Sequence, residues 1–106
     1  MKKMILITAI VIAGFFSCGP PGKQEVNKNL KEIGPSISKQ AWSKAEEEIR
    51  LFSDDWMSIR SDYRKEHVKK VDELINKLEM NLAVSDRKKS LKNWRQLLRI
   101  WQQINH

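Results

Sequence analysis

Residues 38–82, SKQAWSKAEEEIRLFSDDWMSIRSDYRKEHVKKVDELINKLEMNL, decide the fold, because they run for 45 residues without a glycine or a proline. Apolar side chains recur along them at alternating intervals of three and four residues. This spacing averages about 3.5 residues and places the side chains on one narrow stripe of an α-helix. The first part of the stripe consists of Trp42, Ala45, Ile49, Phe52, Trp56, Ile59 and Tyr63. The pattern predicts one long central helix.

The second part of the stripe follows a different rhythm. Between Ile59 and Val71 three successive steps are four residues long. Such a stutter locally unwinds a supercoil and rotates the stripe around the helix. His67 lies inside it, and a lone histidine at such a position is more often a half-buried polar residue than a ligand. The stripe then continues through Val71, Leu74, Leu78 and Leu82.

Ser53, Asp54 and Asp55 together form a plausible start of a new helix. If the chain turned there, residues 38–52 would fold back as a separate helix, and the domain would be a three-helix bundle. The unbroken alternation of three and four residues across Ser53 favours a continuous or mildly kinked helix instead.

A short amphipathic helix precedes the long one. It is predicted over residues 23–33, because Gly34 and Pro35 follow at once and end it. Either Ser36 or Ser38 is expected to cap the long helix that comes next. The apolar positions of the short helix are Val26, Leu30 and Ile33.

The last segment is predicted to form a strongly two-faced helix capped by Ser85 and Asp86. Its apolar stripe consists of Leu91, Trp94, Leu98, Trp101 and Ile104. Four basic residues cluster within about 60° on the opposite side; they are Lys88, Lys92, Arg95 and Arg99. A short loop makes this helix antiparallel to the long one. The sequence therefore predicts an all-α fold, a helical hairpin or small three-helix bundle, in which the long central helix packs against the C-terminal helix and a short N-terminal helix.

The first 17 residues have the pattern of a secretory leader, in which Lys2 and Lys3 precede an apolar run of about 13 residues. This run is shorter than the roughly 20 residues that a membrane-spanning helix needs. Residues 1–17 are therefore predicted to be a signal peptide. Residues 18–22, rich in glycine and proline, are a flexible tether, and residues 23–106 form one small helical domain.

The end of the leader resembles that of the bacterial lipoprotein class. Phe15, Phe16, Ser17 and Cys18 stand at the positions of the lipobox, whose cysteine is lipidated and becomes the new amino terminus. The resemblance implies attachment of a diacylglyceryl group to Cys18, cleavage before it and acylation of the freed amine. Two or three acyl chains would hold the protein firmly on a membrane. Gly19 replaces the aspartate that retains such proteins at the inner membrane, which favours an outer-membrane location facing the periplasm of the bacterial cell envelope.

Positive charge is concentrated at the carboxyl end. Without the leader the chain has 18 Lys and Arg against 13 Asp and Glu. Residues 18–85 hold 12 of each sign, whereas residues 86–106 hold six basic residues and one acidic residue. This asymmetry points to an acidic partner or surface. Anionic lipid head groups or another envelope polyanion would bind at Lys88, Lys92, Arg95 and Arg99.

The aromatic half of the central stripe has no evident partner in the sequence. A final helix of about 20 residues covers only half of so long a helix. The four residues that then need cover are Trp42, Ile49, Phe52 and Trp56. A second copy of the chain or another envelope protein would cover them at an interface. Alternatively, the chain folds back and hides them in an ordinary core.

The sequence lacks the patterns of an enzyme, a metalloprotein or a nucleic-acid-binding protein. No nucleophile stands beside a histidine base, and no glycine follows Gly34. Two histidines and one cysteine cannot build a zinc site. The tryptophans of the last segment belong to its apolar face, where bases would not reach them. We therefore expect a non-enzymatic, membrane-tethered structural or protein-interaction module without catalytic residues, cofactor, metal or nucleic acid.

Overall fold

The structure, a computed structural model, describes residues 23–105. A 3-10 turn, Arg60–Asp62, lies in the middle of this part of the chain. The α-helices are α1 (Lys23–Ser38), α2 (Trp42–Ile59), α3 (Lys65–Ala83) and α4 (Arg87–Ile104). No strand occurs in these residues, and the prediction of an all-α helical bundle is confirmed.

The helices run alternately up and down, each beside two neighbours. α1 and α3 both pack against α2 and α4, so that α2 and α4 lie diagonally opposite each other. Two hydrogen bonds fix α1 antiparallel to α2: Asn29 Nδ2 donates to Asp55 Oδ2 (3.1 Å), and Ser36 Oγ donates to Glu48 Oε1 (2.6 Å). The beginning of α1 therefore lies at the same end of the bundle as the 3-10 turn.

One hydrophobic core receives side chains from all four helices. Its largest fully buried members are Trp56, Trp101 and Phe52. Burying a side chain of this kind stabilises the fold by about 2 to 3 kcal/mol. Leu91 and Leu97 of α4 are buried as well, and α4 packs on α3. The predicted antiparallel packing of the C-terminal helix on the second half of the stripe is thus confirmed.

The single long central helix is wrong, and so is the alternative of a turn at Ser53. α2 runs through Ser53 and ends at Ile59, and the chain reverses over the 3-10 turn. Tyr63 (φ −110°, ψ 161°) and Arg64 (φ −67°, ψ 147°) are extended before α3 begins. The reversal falls inside the stutter, where the apolar stripe loses its rhythm.

The physical reason for this reversal is burial. A continuous helix over residues 38–82 would be about 68 Å long, and α4 could cover only one half of it. Folding the two halves against each other gives both stripes the same core, at the cost of a few residues of regular hydrogen bonding. No glycine or proline is needed, because the 3-10 turn keeps part of the backbone paired.

The short N-terminal helix is longer than predicted, because α1 continues through Gly34 and Pro35 to Ser38. The additional turn buries Ile37 and Ser36. Pro35, which is exposed inside this helix, removes one N–H from the backbone ladder and crowds the preceding turn, at a cost of about 3 kcal/mol. Burial of Ile37, together with the hydrogen bond from buried Ser36 to Glu48, offsets this cost. The expected serine cap is also wrong, since α2 begins after Ala41 and no side chain caps it.

The α1–α2 and α3–α4 turns lie at the end of the bundle opposite the 3-10 turn, and both have the same backbone conformation. After α1, Gln40 (φ 59°) is left-handed, with its N–H bonded to Ile37 O and the next N–H to Ser36 O. After α3, Ser85 (φ 55°) is left-handed in the same way: its N–H donates to the carbonyl of residue 82, and the next N–H donates to the carbonyl of residue 81. This is the Schellman motif, here without its usual glycine. The prediction of Asp86 as a cap is confirmed, because Asp86 Oδ1 accepts a hydrogen bond from Lys89 N (2.9 Å).

Candidate functional site

One of the sites predicted from the sequence remains exposed to solvent in the structure. It is the basic face of α4, defined as Lys88, Lys92, Arg95 and Arg99. All four side chains are exposed. They follow one another at intervals of four, three and four residues, so they line one side of the helix. The opposite side carries Leu97 and Trp101 into the core. The amphipathic pattern thus leaves these four cations on the outer surface of the bundle.

Three ion pairs join side chains of residues 23–105, and none of them uses the basic face. They are Arg50–Asp54 (4.0 Å), Arg60–Asp72 (2.8 Å) and Arg64–Glu66 (3.0 Å). The acidic residue of the α4 segment, Asp86, is occupied as the N-cap. Within the described part of the chain, no direct ion pair therefore neutralises these four cations.

α4 is held in place along its whole length. Trp94 Nε1 donates to the carbonyl of Leu30 in α1 (2.8 Å), and Arg87 Nε donates to the carbonyl of Ser38 (3.3 Å). At the other end Tyr63 donates from its hydroxyl to Asn105 Oδ1. Because these contacts join α4 to α1 and to the 3-10 turn, the basic face is presented by a fixed element and not by a mobile tail.

The aromatic residues that were expected at a partner interface lie mostly in the core. Ile49 is 1% exposed, Phe52 and Trp56 are fully buried, and Trp42 is half-buried against the core. The ring of Trp101 contacts Phe52 and Trp56 edge-on, with centroids 5.6 and 6.0 Å apart. The fold-back alternative therefore describes the structure, since the turn after Ile59 supplies the cover that a straight helix would lack.

Trp56 is also the origin of a polar network between α2 and α3. Its Nε1 donates to Asp72 Oδ1, and Arg60 donates from its guanidinium to Asp72 Oδ2, both at 2.8 Å. Asp72 thus satisfies the buried indole and balances the charge of Arg60. The network joins α2 and the 3-10 turn to α3. The sequence did not predict it, because the three residues belong to different elements.

A second surface that the sequence did not reveal is the α2–α3 groove. It has a volume of about 740 Å³ and lies where α2, the 3-10 turn and α3 meet. Apolar atoms line most of it, including those of Met57, which is 56% exposed, and of half-buried Val68. Lys65 and Lys69 stand at its border. The available signal was Met57, a large apolar residue next to the stripe and not on it.

Tyr63 lies beside this groove and in contact with the core. Its ring centroid is 5.1 Å from that of Trp56. Burial raises the pKa of the Tyr63 hydroxyl above its usual value of 10.0, and the nearby Asp62 adds to this, whereas the hydrogen bond to Asn105 opposes it. The hydroxyl is therefore a protonated donor at neutral pH.

The remaining predicted features either fall outside the described residues or do not form a site in the part of the chain that the structure describes. The predicted signal peptide (residues 1–17) and tether (residues 18–22), with the lipidation site Cys18, lie outside the described residues. His67 is half-buried, as its place in the stutter indicated. Within residues 23–105 no group of three or more His, Cys, Asp and Glu side chains is placed to hold a metal ion. None of the helices in this part of the chain is both long and apolar enough to span a membrane.

Comparison with protein-family models, with curated proteins and with solved structures gives no match for this chain.

Proposed function

We propose that this chain is a lipid-anchored protein of the bacterial cell envelope whose helical domain binds an anionic surface through the basic face of α4. The membrane contact would come first from lipidated Cys18 and then from the basic face, which docks on acidic lipid head groups. The role is structural and non-enzymatic.

The strongest support for this proposal is that one fixed helix face exposes four cations, none of which joins an ion pair with another described residue. Each Lys or Arg that reaches a negatively charged membrane surface contributes about 1 kcal/mol of attraction. Four such residues, presented together, suffice for reversible docking, particularly when an anchor already holds the domain near the bilayer. The lipobox-like residues 15–18 supply the reason to expect that anchor.

The test uses the chain without its leader, residues 19–106, because every side chain of the hydrophobic core lies between residues 26 and 101. Its binding to vesicles of phosphatidylglycerol and phosphatidylcholine is measured by co-sedimentation. We expect binding that increases with the anionic lipid and weakens with salt. The double variant Lys92→Glu/Arg95→Glu should bind at least about 30-fold more weakly, because two attractions of about 1 kcal/mol each are lost and the two glutamates are repelled by the anionic lipid.

The matched control is Lys44→Glu/Arg50→Glu. Both residues are exposed on α2, diagonally across the bundle from α4, and the change in net charge is the same. This control should bind almost as the unaltered domain does. Equal losses in the two double variants would show a non-specific effect of net charge, and unchanged binding by Lys92→Glu/Arg95→Glu would refute the proposal.

A further inference from the structure

We propose that the α2–α3 groove is a binding site for a single-chain amphiphile with an anionic head group, such as a fatty acid or a lysophospholipid. This site lies apart from the basic face of α4 and acts independently of it. The inference goes beyond the proposed surface binding, because its ligand is one molecule taken from solution and not a membrane.

The lining of the groove is mostly apolar, and part of it is exposed to water. Met57 is 56% exposed there, although methionine is otherwise a residue of cores. Val68 is half-buried and packs against the core from the same groove. Methionine has a flexible, polarizable side chain that adapts to ligands of varied shape. These atoms would contact an acyl chain.

The border of the groove supplies the charge that an anionic head group needs. Lys65 and Lys69 are exposed one helical turn apart on α3, and neither joins an ion pair within residues 23–105. Arg60 and Asp72 also line the groove, but they neutralise each other at 2.8 Å. Glu73 is the remaining charge, so the groove keeps a surplus of one positive charge.

The size of the groove suits a small ligand. Its volume of about 740 Å³ lies within the range of about 300 to 1,000 Å³ that is typical of small-molecule sites. It is open along the surface between two antiparallel helices, so a flexible chain can lie along it without first opening the core.

The position of the groove argues against the bilayer as its occupant. α2 and α4 are diagonal in the bundle, so the outer side of α4 and the α2–α3 side point in widely different directions. A flat membrane that touches the basic face does not reach Met57. A monomeric amphiphile reaches the groove whether or not the domain is docked.

The experiment titrates residues 19–106 with dodecanoate and with lysophosphatidylglycerol, both below the concentration at which they form micelles, by isothermal calorimetry. Methyl NMR spectra of the same samples follow Met57 and Val68. We expect saturable binding of one molecule per chain, weakened by salt, with the largest shifts at these two residues. Met57→Glu should lower the affinity about tenfold by removing apolar contact and adding a like charge. Lys65→Glu/Lys69→Glu should lower it by a similar factor.

The control is Met80→Glu, which alters a methionine that is 70% exposed on α3 outside the groove lining. It should bind as the unaltered domain does. Lys92→Glu/Arg95→Glu should also keep full affinity for dodecanoate, and Met57→Glu should keep vesicle binding, so that either proposal can fail alone.

Absence of saturable binding, equal affinity for neutral dodecyl maltoside, or shifts confined to another surface would overturn the inference. Concentration-dependent dimers that Met57→Glu dissociates would overturn it too, by identifying the groove as a contact between two copies.

Discussion

At the scale of single residues, the ring of Trp94 lies so close to the backbone at Gly34 that it leaves no room for a side chain there. A Cβ atom added at Gly34 would lie 2.5 Å from Cζ2 and 2.7 Å from Cζ3 of that ring. The indole in turn donates to the carbonyl of Leu30 one turn earlier in α1. The glycine therefore serves the close approach of α1 and α4 and not the end of a helix.

Gly34→Ala should destabilise the domain by about 1 to 3 kcal/mol, as overpacking of a well-packed contact does. In an ordinary helix interior the same change stabilises by roughly 0.5 to 1 kcal/mol, so the two effects have opposite signs. Urea denaturation followed by circular dichroism measures the difference. In a Trp94→Leu background the alanine should become neutral or stabilising. A stabilising effect of Gly34→Ala in the unaltered domain would contradict the close contact.

Asp55 carries a charge that the fold disfavours. Its pKa is raised above the usual value of 3.8, chiefly by burial, with repulsion from Glu25 and Asp54 added and the hydrogen bond from Asn29 opposing. The folded state therefore binds this proton more tightly than the unfolded state does. The contribution of Asp55 to stability should therefore increase as the pH falls through its raised pKa. At neutral pH the destabilisation caused by its buried charge is fully present.

Asp55→Asn should accordingly raise the melting temperature at pH 7, because the amide still accepts the hydrogen bond from Asn29 without a charge. The gain should disappear below pH 3.8, where the carboxyl is protonated in both states. Thermal melts across this pH range measure it. Glu47→Gln, on the exposed side of the same helix, is the control and should change little. A gain that persisted at low pH would have another cause.

At the scale of the helices, two of the turns hold a non-glycine residue in the left-handed region. Gln40 and Ser85 each occupy the position after a helix end that favours glycine. Each side chain costs about 1 kcal/mol in that conformation. Because both are exposed, neither recovers this cost through packing.

Gln40→Gly and Ser85→Gly should each stabilise the domain by about 0.5 to 1 kcal/mol, after the greater freedom of glycine in the unfolded chain is subtracted. The double variant tests whether the two gains add, because Arg87 Nε, beside the second turn, donates to the carbonyl of Ser38, beside the first. Denaturant titration gives each value. Lys31→Gly, whose residue is exposed in the middle of α1, is the control and should be destabilising. Loss of stability at both turns would mean that their backbones differ from the Schellman geometry.

The helices themselves were largely predictable, but their limits were not. The amphipathic period found α4, its Asp86 cap and its basic face, because these depend on neighbours three or four residues away. It placed the end of α1 at Gly34 and Pro35, where local preference says that a helix stops. Burial of Ile37 and the approach of Trp94 overrode that preference, and neither contact is visible within a short window of sequence.

At the scale of the whole molecule, the turn after Ile59 decides which surfaces are free. It folds the aromatic half of the stripe into the core and removes Phe52 and Trp56 from any interface. The same reversal creates the α2–α3 groove, since Met57 and Val68 line one groove only when the two helices lie side by side. The basic face and the groove then point in different directions, so that one bundle offers two separate surfaces.

The sequence by itself determined that the chain is helical, which side of each helix is apolar, and where the positive charge is concentrated. These properties follow from the spacing of side chains along one helix, a local matter. The tertiary structure alone decided that the long apolar stripe would be divided at residues 60–64, that its tryptophans would be core, and that a groove would open beside Met57. The physical reason is that burial depends on which distant segments meet, and a stripe of apolar residues looks the same in a sequence whether its own chain or another molecule covers it.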